Sequence, residues 1–399
     1  MPRKKVVLSG YFGFDNIGDE AILEATLKRL AKIDGIDPIV LSARPAWTTK
    51  QYDMAASNRA NPFHLVRDIA TSHLVIQGGG GLFQDKTSFR SILYYTFILF
   101  LAYILGRRVF ILAQGLGPFK RFSSEWLVKE FLSQAVAVTL RDKSSLAYLR
   151  PHMPLDTPVE LVADAAFLLE PCGDDRLSDV LFEEDLDEVH DPLFGIALKG
   201  DIKDKRALVG LARAIDIIAR GYDMHPVFVP FHYPSDTKYA RKIAVYMESE
   251  STILKKRWRP SEYLALFSRF EFILGMRLHS LIFAAKSKVP FAGISYDPKI
   301  DEFLDEFDFK PIARVPILGP EIISEAMEDI LEDRDEYRAK IIKTLYRLEE
   351  RAEKSFKLLE AVLFSDEALL AKRKAEEAFE EAHEQAATED DLKLRSKGL

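Results

Sequence analysis

Short runs of aliphatic residues alternate with longer stretches of helical periodicity along this chain, and the alternation occurs in two series. In the first series, apolar runs near Val6, Ile39, Leu74, Val109, Val136 and Val159 read as strands, and stretches near 19–32, 88–105, 124–134 and 143–150 read as helices. The second series has strands near Phe194, Val227, Ile253, Ile273 and Ala292, with helices near 203–220, 235–248, 260–270, 278–288 and 299–307. Strands separated by crossover helices imply parallel sheets, so the expected fold class is α/β with two Rossmann-like domains facing a central cleft. The spacing puts an N-terminal domain at 1–171 and a second at 192–318, joined by a charged, irregular stretch from Cys172 to Pro192. C-terminal helices and a charged tail occupy 319–399, with Ile330, Tyr337, Ile341, Leu345 and Leu348 at helical spacing. The stretch to about Phe364 is expected to pack back over the domains, and the Ala, Glu and Lys rich tail from Glu367 to form a solvated helix or frayed end.

Composition agrees with this picture. A chain of 399 residues, 48% apolar and 29% charged, can bury two cores. The single cysteine, Cys172, excludes an intramolecular disulfide and fits a reducing compartment. The start MPRKKVVLSGYFG has no apolar core of a signal peptide, which points to the cytoplasm, and the net charge of −7 argues against general adhesion to nucleic acid or anionic lipid, so any membrane contact would be local. The longest apolar run, Ser91 to Leu105, is shorter than the roughly 18 to 20 residues that span a bilayer and reads as a buried core helix. Arg107 and Arg108 directly after it leave open a peripheral contact with the inner face of the cell membrane.

Candidate chemistry gathers at strand ends. FILGMRLHS puts Arg277 and His279 at a strand-to-helix turn, with Lys299 at the next such turn: an anion site with a proton donor. After the first strand, GYFGFDNIGDEAIL crowds Asp15, Asn16, Asp19 and Glu20 into a glycine-bearing loop, where Asp19 can cap the following helix. Four glycines in QGGGGLFQD, including Gly79 and Gly80, let either a ligand or the GYFG loop approach the backbone, without the Lys-Ser/Thr ending of a P-loop or a dinucleotide GxGxxG. Gln114 in AQGLGPF, Arg141 in TLRDKSS, Lys199 and His232 in VPFHYPSD complete the same strand edges. No HExxH, paired DxD or His-Cys spacing is present, so no metal site is expected.

These blocks, together with VADAAF and GISYDPKIDEFL, occur from about Val6 to about Phe307 in an order that resembles the polysaccharide pyruvyl transferases, especially their CsaB-like bacterial branch. The resemblance implies a GT-B-like pair of domains and a reaction in which the pyruvyl group of phosphoenolpyruvate becomes a cyclic ketal on a glycan, with release of phosphate. In the CsaB-like branch the acceptor resembles an N-acetylmannosamine-containing, lipid-linked secondary wall polymer that supports S-layer anchoring. On this reading Arg141, Arg277 and Lys299, with Lys199 in reserve, hold the donor's two anionic groups. His279 acts as general acid or as partner of the leaving phosphate, and Asp15 or Asp19 is the base for a sugar hydroxyl. Asn16, Gly79, Gly80, Gln114 and His232 line the substrate path, and no cofactor beyond the donor substrate is required. A GT-B glycosyltransferase using a nucleotide sugar, and a glycan-binding protein without turnover, are the alternatives. The oligomeric state is not legible in the chain.

Overall fold

The computed structural model describes residues 3–85, 89–200, 202, 204–315 and 319–364. The expected solvated tail from Glu367 lies outside the described residues. Two compact units divide the chain: residues 1–355, which hold both sheets, and residues from Phe356 on, described only as helix to Leu363 and the turn at Phe364.

Eight strands build the first sheet: β1 (Lys4–Ser9), β2 (Ile36–Ser42), β3 (Ala55–Asn58), β4 (Leu74–Gln77), β5 (Gly80–Phe83), β6 (Arg108–Leu116), β7 (Ala137–Leu140) and β8 (Val159–Leu161). Their order is β3-β2-β1-β4-β6-β7-β8, with β5 also paired to β6. Six more form the second: β9 (Leu193–Ala197), β10 (His225–Phe228), β11 (Thr252–Ile253), β12 (Phe270–Gly275), β13 (Phe291–Ser295) and β14 (Ala313–Arg314), ordered β11-β10-β9-β12-β13-β14. All the pairings are parallel. Helices cover the sheet faces, so β4, β7 and β9 are buried at every position and read as unbroken apolar runs rather than alternating ones. In each sheet the strand order reverses beside the first strand of the series, between β1 and β4 and between β9 and β12. Crevices at the carboxyl ends of such strands are where open α/β sheets take ligands.

The helix Arg334–Leu363 packs back through its portion before Phe356. Within that portion Arg351 donates to Val162 O at 2.8 Å and to Glu306 at 3.0 Å, so one side chain touches the regions of both sheets. Three expectations need correction. The stretch from Cys172 to Pro192 is not irregular: Asp174–Glu183 is a helix whose first turn carries Asp174 and Asp175, where carboxylates favour a helix N-terminus. Asp19 does not cap its helix, because the helix begins two residues earlier at Ile17 and the Asn16 side chain accepts from Gly18 N at 3.1 Å. The apolar run after Ser91 forms the helix Phe89–Ile104, which buries Ile92, Tyr95, Ile98 and Leu99 but leaves Leu93, Phe97, Phe100 and Ile104 exposed. A crossover helix has only one face turned to the sheet.

Candidate active site

Loops from both sheets meet at one cleft of about 360 Å³. The β1 loop contributes Asn16 and Asp19, and the β7 end contributes Arg141. From the second sheet come Arg277 and His279 after β12 and Lys299 after β13. A larger cavity of about 670 Å³ shares Arg141 and Lys299 with it and extends past Asp164 toward Arg347. Main-chain contacts join the β1 loop to the β10 loop: Ile17 N donates to Phe231 O at 2.9 Å, Tyr233 N to Asp15 O at 3.2 Å, and Asn16 bridges His232.

His279 lies in the first turn of the helix Leu278–Lys286. Its Nε2 is 3.6 Å from Asp164 Oδ2 and is buried without a hydrogen-bond partner. Across the cleft, a Cβ added to Gly18 would fall 2.1 Å from His279 Nδ1, so the absence of a side chain there makes room for the imidazole. Asp164 also takes Nη1 of the buried Arg141 at 2.5 Å. Burial alone would raise the Asp164 carboxyl, but the charges of His279 and Arg141 outweigh it and hold the group well below the usual carboxylate range. Arg141 owes its space to Gly115, where a Cβ would stand 2.9 Å from Nε.

Asp19 shares the first-sheet side of the cleft with Arg141 and faces Arg277, His279 and Lys299 of the second. Burial, reinforced by Glu20 and opposed by Arg141, raises its carboxyl to about 7. Its Oδ1 is 3.0 Å from the position of a Cβ on Gly80, whose φ of +104° suits glycine. Lys299 moves the opposite way: burial, opposed first by Asp297, lowers its ammonium to about 8. An acid and a base whose environments drive both toward neutrality mark a site built for proton transfer.

The remaining sequence candidates separate. Asp15, at φ +59°, is held between Arg44 and Arg257 Nη1, the latter at 2.8 Å, and does not line the cleft. Glu20, also raised to about 7 by burial, accepts from Gly13 N at 2.7 Å and Tyr52 Oη at 2.8 Å and so braces the glycine loop. Arg277 clamps Asp236 through Nε and Nη2, leaving Nη1 outside that pair. Asp236 in turn accepts from His232 N at 2.9 Å, while the His232 ring meets Ser235 Oγ at 2.9 Å. Burial, with Arg277 adding to it, lowers the His232 imidazole. Lys199 Nζ lies over the Tyr296 ring at 4.2 Å. Gly79 packs against β6, its absent Cβ 3.0 Å from Ala113 O, and Gln114 donates from Nε2 to Gly80 O at 2.6 Å. Oε1 of Gln114 is buried without a partner, a second unsatisfied polar atom beside the cleft.

Asp164 and Asp236 escaped the sequence reading although both sit in blocks it singled out. The available signal was position: Asp164 follows β8 on the same carboxyl edge as Arg141, and Asp236 opens the helix after β10. Among the described residues, no group of three or more His, Cys, Asp or Glu could hold a metal ion, and no helix is long and apolar enough to cross a membrane.

The family model for polysaccharide pyruvyl transferase matches residues 16–298. No curated protein sequence matches. Among solved structures, S. aureus MnaA with UDP superposes with a TM-score of 0.61 at 14% identity, covering 90% of this chain and 96% of that one. The UDP-GlcNAc 2-epimerase of Neisseria meningitidis bound to UDP-GlcNAc gives 0.59 at 14% identity, with 89% and 99% covered. Anabaena HepE in complex with UDP and glucose gives 0.59 at 10%, with 91% and 100% covered. At these identities the likeness is one of fold, and the fold is the GT-B-like pair of α/β domains.

Proposed function

The chain belongs to the polysaccharide pyruvyl transferase family, and from that premise we propose that it moves the pyruvyl group of phosphoenolpyruvate onto two hydroxyls of a glycan as a cyclic ketal. The observation that carries this reading is the opposition, across one cleft, of Asp19 raised to about 7 and His279 amid Arg141, Arg277 and Lys299.

Phosphoenolpyruvate brings a carboxylate and a phosphate, and the cationic rim matches two anions better than one neutral sugar. His279 gives a proton to the donor's methylene carbon, which becomes the methyl group, and positive charge develops on the adjacent enol carbon. A sugar hydroxyl attacks that carbon and loses its proton to Asp19. Phosphate then leaves, a second hydroxyl closes the ring, and the two hydroxyl protons end on the methyl group and on phosphate. Asp164 orients His279 and keeps Arg141 in place. Lys299 and Arg141 take the phosphate, with Arg277 Nη1 and Lys199 on the carboxylate. The scheme draws on no metal and no redox cofactor.

The order of the sequence blocks supports a CsaB-like member, hence a lipid-linked, N-acetylmannosamine-containing cell-wall acceptor, a role in S-layer anchoring and work on the cytoplasmic side of the membrane. A nucleotide-sugar glycosyltransferase is the second reading, favoured by the UDP and UDP-GlcNAc bound in fold neighbours. Thermal unfolding separates them: phosphoenolpyruvate should raise the Tm and UDP should not. A shift with UDP alone would transfer the assignment to the second reading.

A further inference from the structure

The first sheet carries an apolar outer face that its fold does not use. Helix Phe89–Ile104 packs between helices Pro62–Ala70 and Phe122–Leu132 over one side of that sheet, and all three contribute to a single core. The outward side of such a layer should be polar. Instead Leu93, Phe97, Phe100 and Ile104 form a stripe at spacings of four, three and four along the middle helix. Phe63 and Val66 extend it on one flank, and Phe122 and Trp126 on the other, with exposures across the whole set from 44% to 83%.

Charge surrounds this stripe unevenly. Residues 62–132 carry eight Lys and Arg against four Asp and Glu in a chain whose net charge is −7. Among the described residues, Asp68 and Asp85 are buried and paired with Arg67 at 2.9 Å and Arg121 at 3.6 Å, and Glu125 is paired with Lys129 at 2.7 Å, which leaves Glu130 as the exposed acid outside these ion pairs. Arg67, Arg90, Lys120 and Arg121 are exposed. A two-fold contact with a second copy would set this basic patch against itself. An anionic surface with an apolar interior satisfies both features, because aromatic and aliphatic side chains enter its outer layer while cations meet its headgroups.

We propose that this three-helix face docks the protein on a bilayer containing anionic lipid. The orientation is informative: each helix connects parallel strands and starts at their carboxyl edge, so Phe63, Leu93, Phe122 and Trp126 lie toward the cleft side of the sheet. Ser91 and Tyr95 of the middle helix line the cleft itself. The contact therefore runs along the helix side. It does not use the pair after the helix end, since Arg107 donates to Leu105 O and Ser72 O and Arg108 lies in β6.

Cosedimentation of the full chain with phosphatidylcholine vesicles, with and without phosphatidylglycerol, tests this without any turnover, so its failure is separate from failure of the enzymatic reading. Binding should need phosphatidylglycerol and weaken as salt rises. The double variant Phe97→Ser, Phe100→Ser should bind about tenfold or more weakly with unchanged Tm. Arg90→Glu with Lys120→Glu should abolish the lipid-charge dependence while leaving the apolar stripe intact. Absence of pelleting with either vesicle would overturn the proposal. So would a dimer, seen by analytical ultracentrifugation, that the Phe97→Ser, Phe100→Ser variant converts to monomer.

Discussion

Gly18 and His279 lie in helices that follow strands of different sheets, yet the missing side chain of one is the space the other's imidazole fills. A Cβ at Gly18 would sit 2.1 Å from Nδ1, so Gly18→Ala must push His279 aside although the helix backbone accepts alanine readily. We expect the variant to fold with near-normal Tm and to lose on the order of 100-fold in kcat, the scale of a misplacement of about 1 Å. Equal kcat in the two proteins would remove His279 from the chemistry.

Asp164 faces the Arg141 guanidinium and the His279 imidazole at once. Asp164→Asn removes the carboxylate 2.5 Å from Arg141 and leaves it only the longer 3.9 Å contact to Asp142, and breaking such a pair costs about 3 to 5 kcal/mol. Because the Asp164 carboxyl is depressed in the folded state, its stabilisation is present above its unfolded pKa and lost as pH falls. Urea denaturation should therefore show wild type and variant far apart at neutral pH and converging in acid.

Asp19 has the opposite linkage. Its folded value of about 7 lies above the ordinary 3.8, so the folded state holds its proton more tightly and stability falls as pH rises between those values. Asp19→Asn should be more stable than wild type at pH 8 by on the order of 2 to 4 kcal/mol and nearly equal to it at pH 4, while turnover is lost. A variant that is both stable and active would free Asp19 of the role of base.

The same two groups shape the pH profile of kcat/KM. Activity should rise as Asp19 loses its proton near about 7 and fall as Lys299 loses its own near about 8, giving a narrow bell. Lys299→Arg, which stays charged, should flatten the alkaline limb.

Much of the frame was legible because strands buried on both faces leave unbroken apolar runs, as β4 and β9 do. Strands β3, with AASN, and β5, with GGLF, carry too few large apolar residues to announce themselves. Arg141, His279 and Lys299 could be found because strand ends in parallel sheets collect chemistry. Their partners could not: Asp164 acquires its role from a contact 115 positions away in sequence, at His279, and Asp15 is withdrawn from the cleft by Arg44 and Arg257. Such pairings depend on how the two sheets meet, which periodicity does not encode.

Arg277→Ala removes a guanidinium that both lines the cleft and clamps Asp236. Loss of a charge-assisted contact worth about 1.5 to 3 kcal/mol should appear as a higher KM for phosphoenolpyruvate, with a smaller change in kcat.

The central claim is the ketal transfer itself. Phosphate release from phosphoenolpyruvate should be followed with and without a synthetic N-acetylmannosamine disaccharide acceptor, with proton NMR of the sugar product. Acceptor-dependent phosphate together with a new ketal methyl signal is the predicted result. No phosphate with any acceptor, and sugar transfer from a UDP-sugar instead, would contradict it.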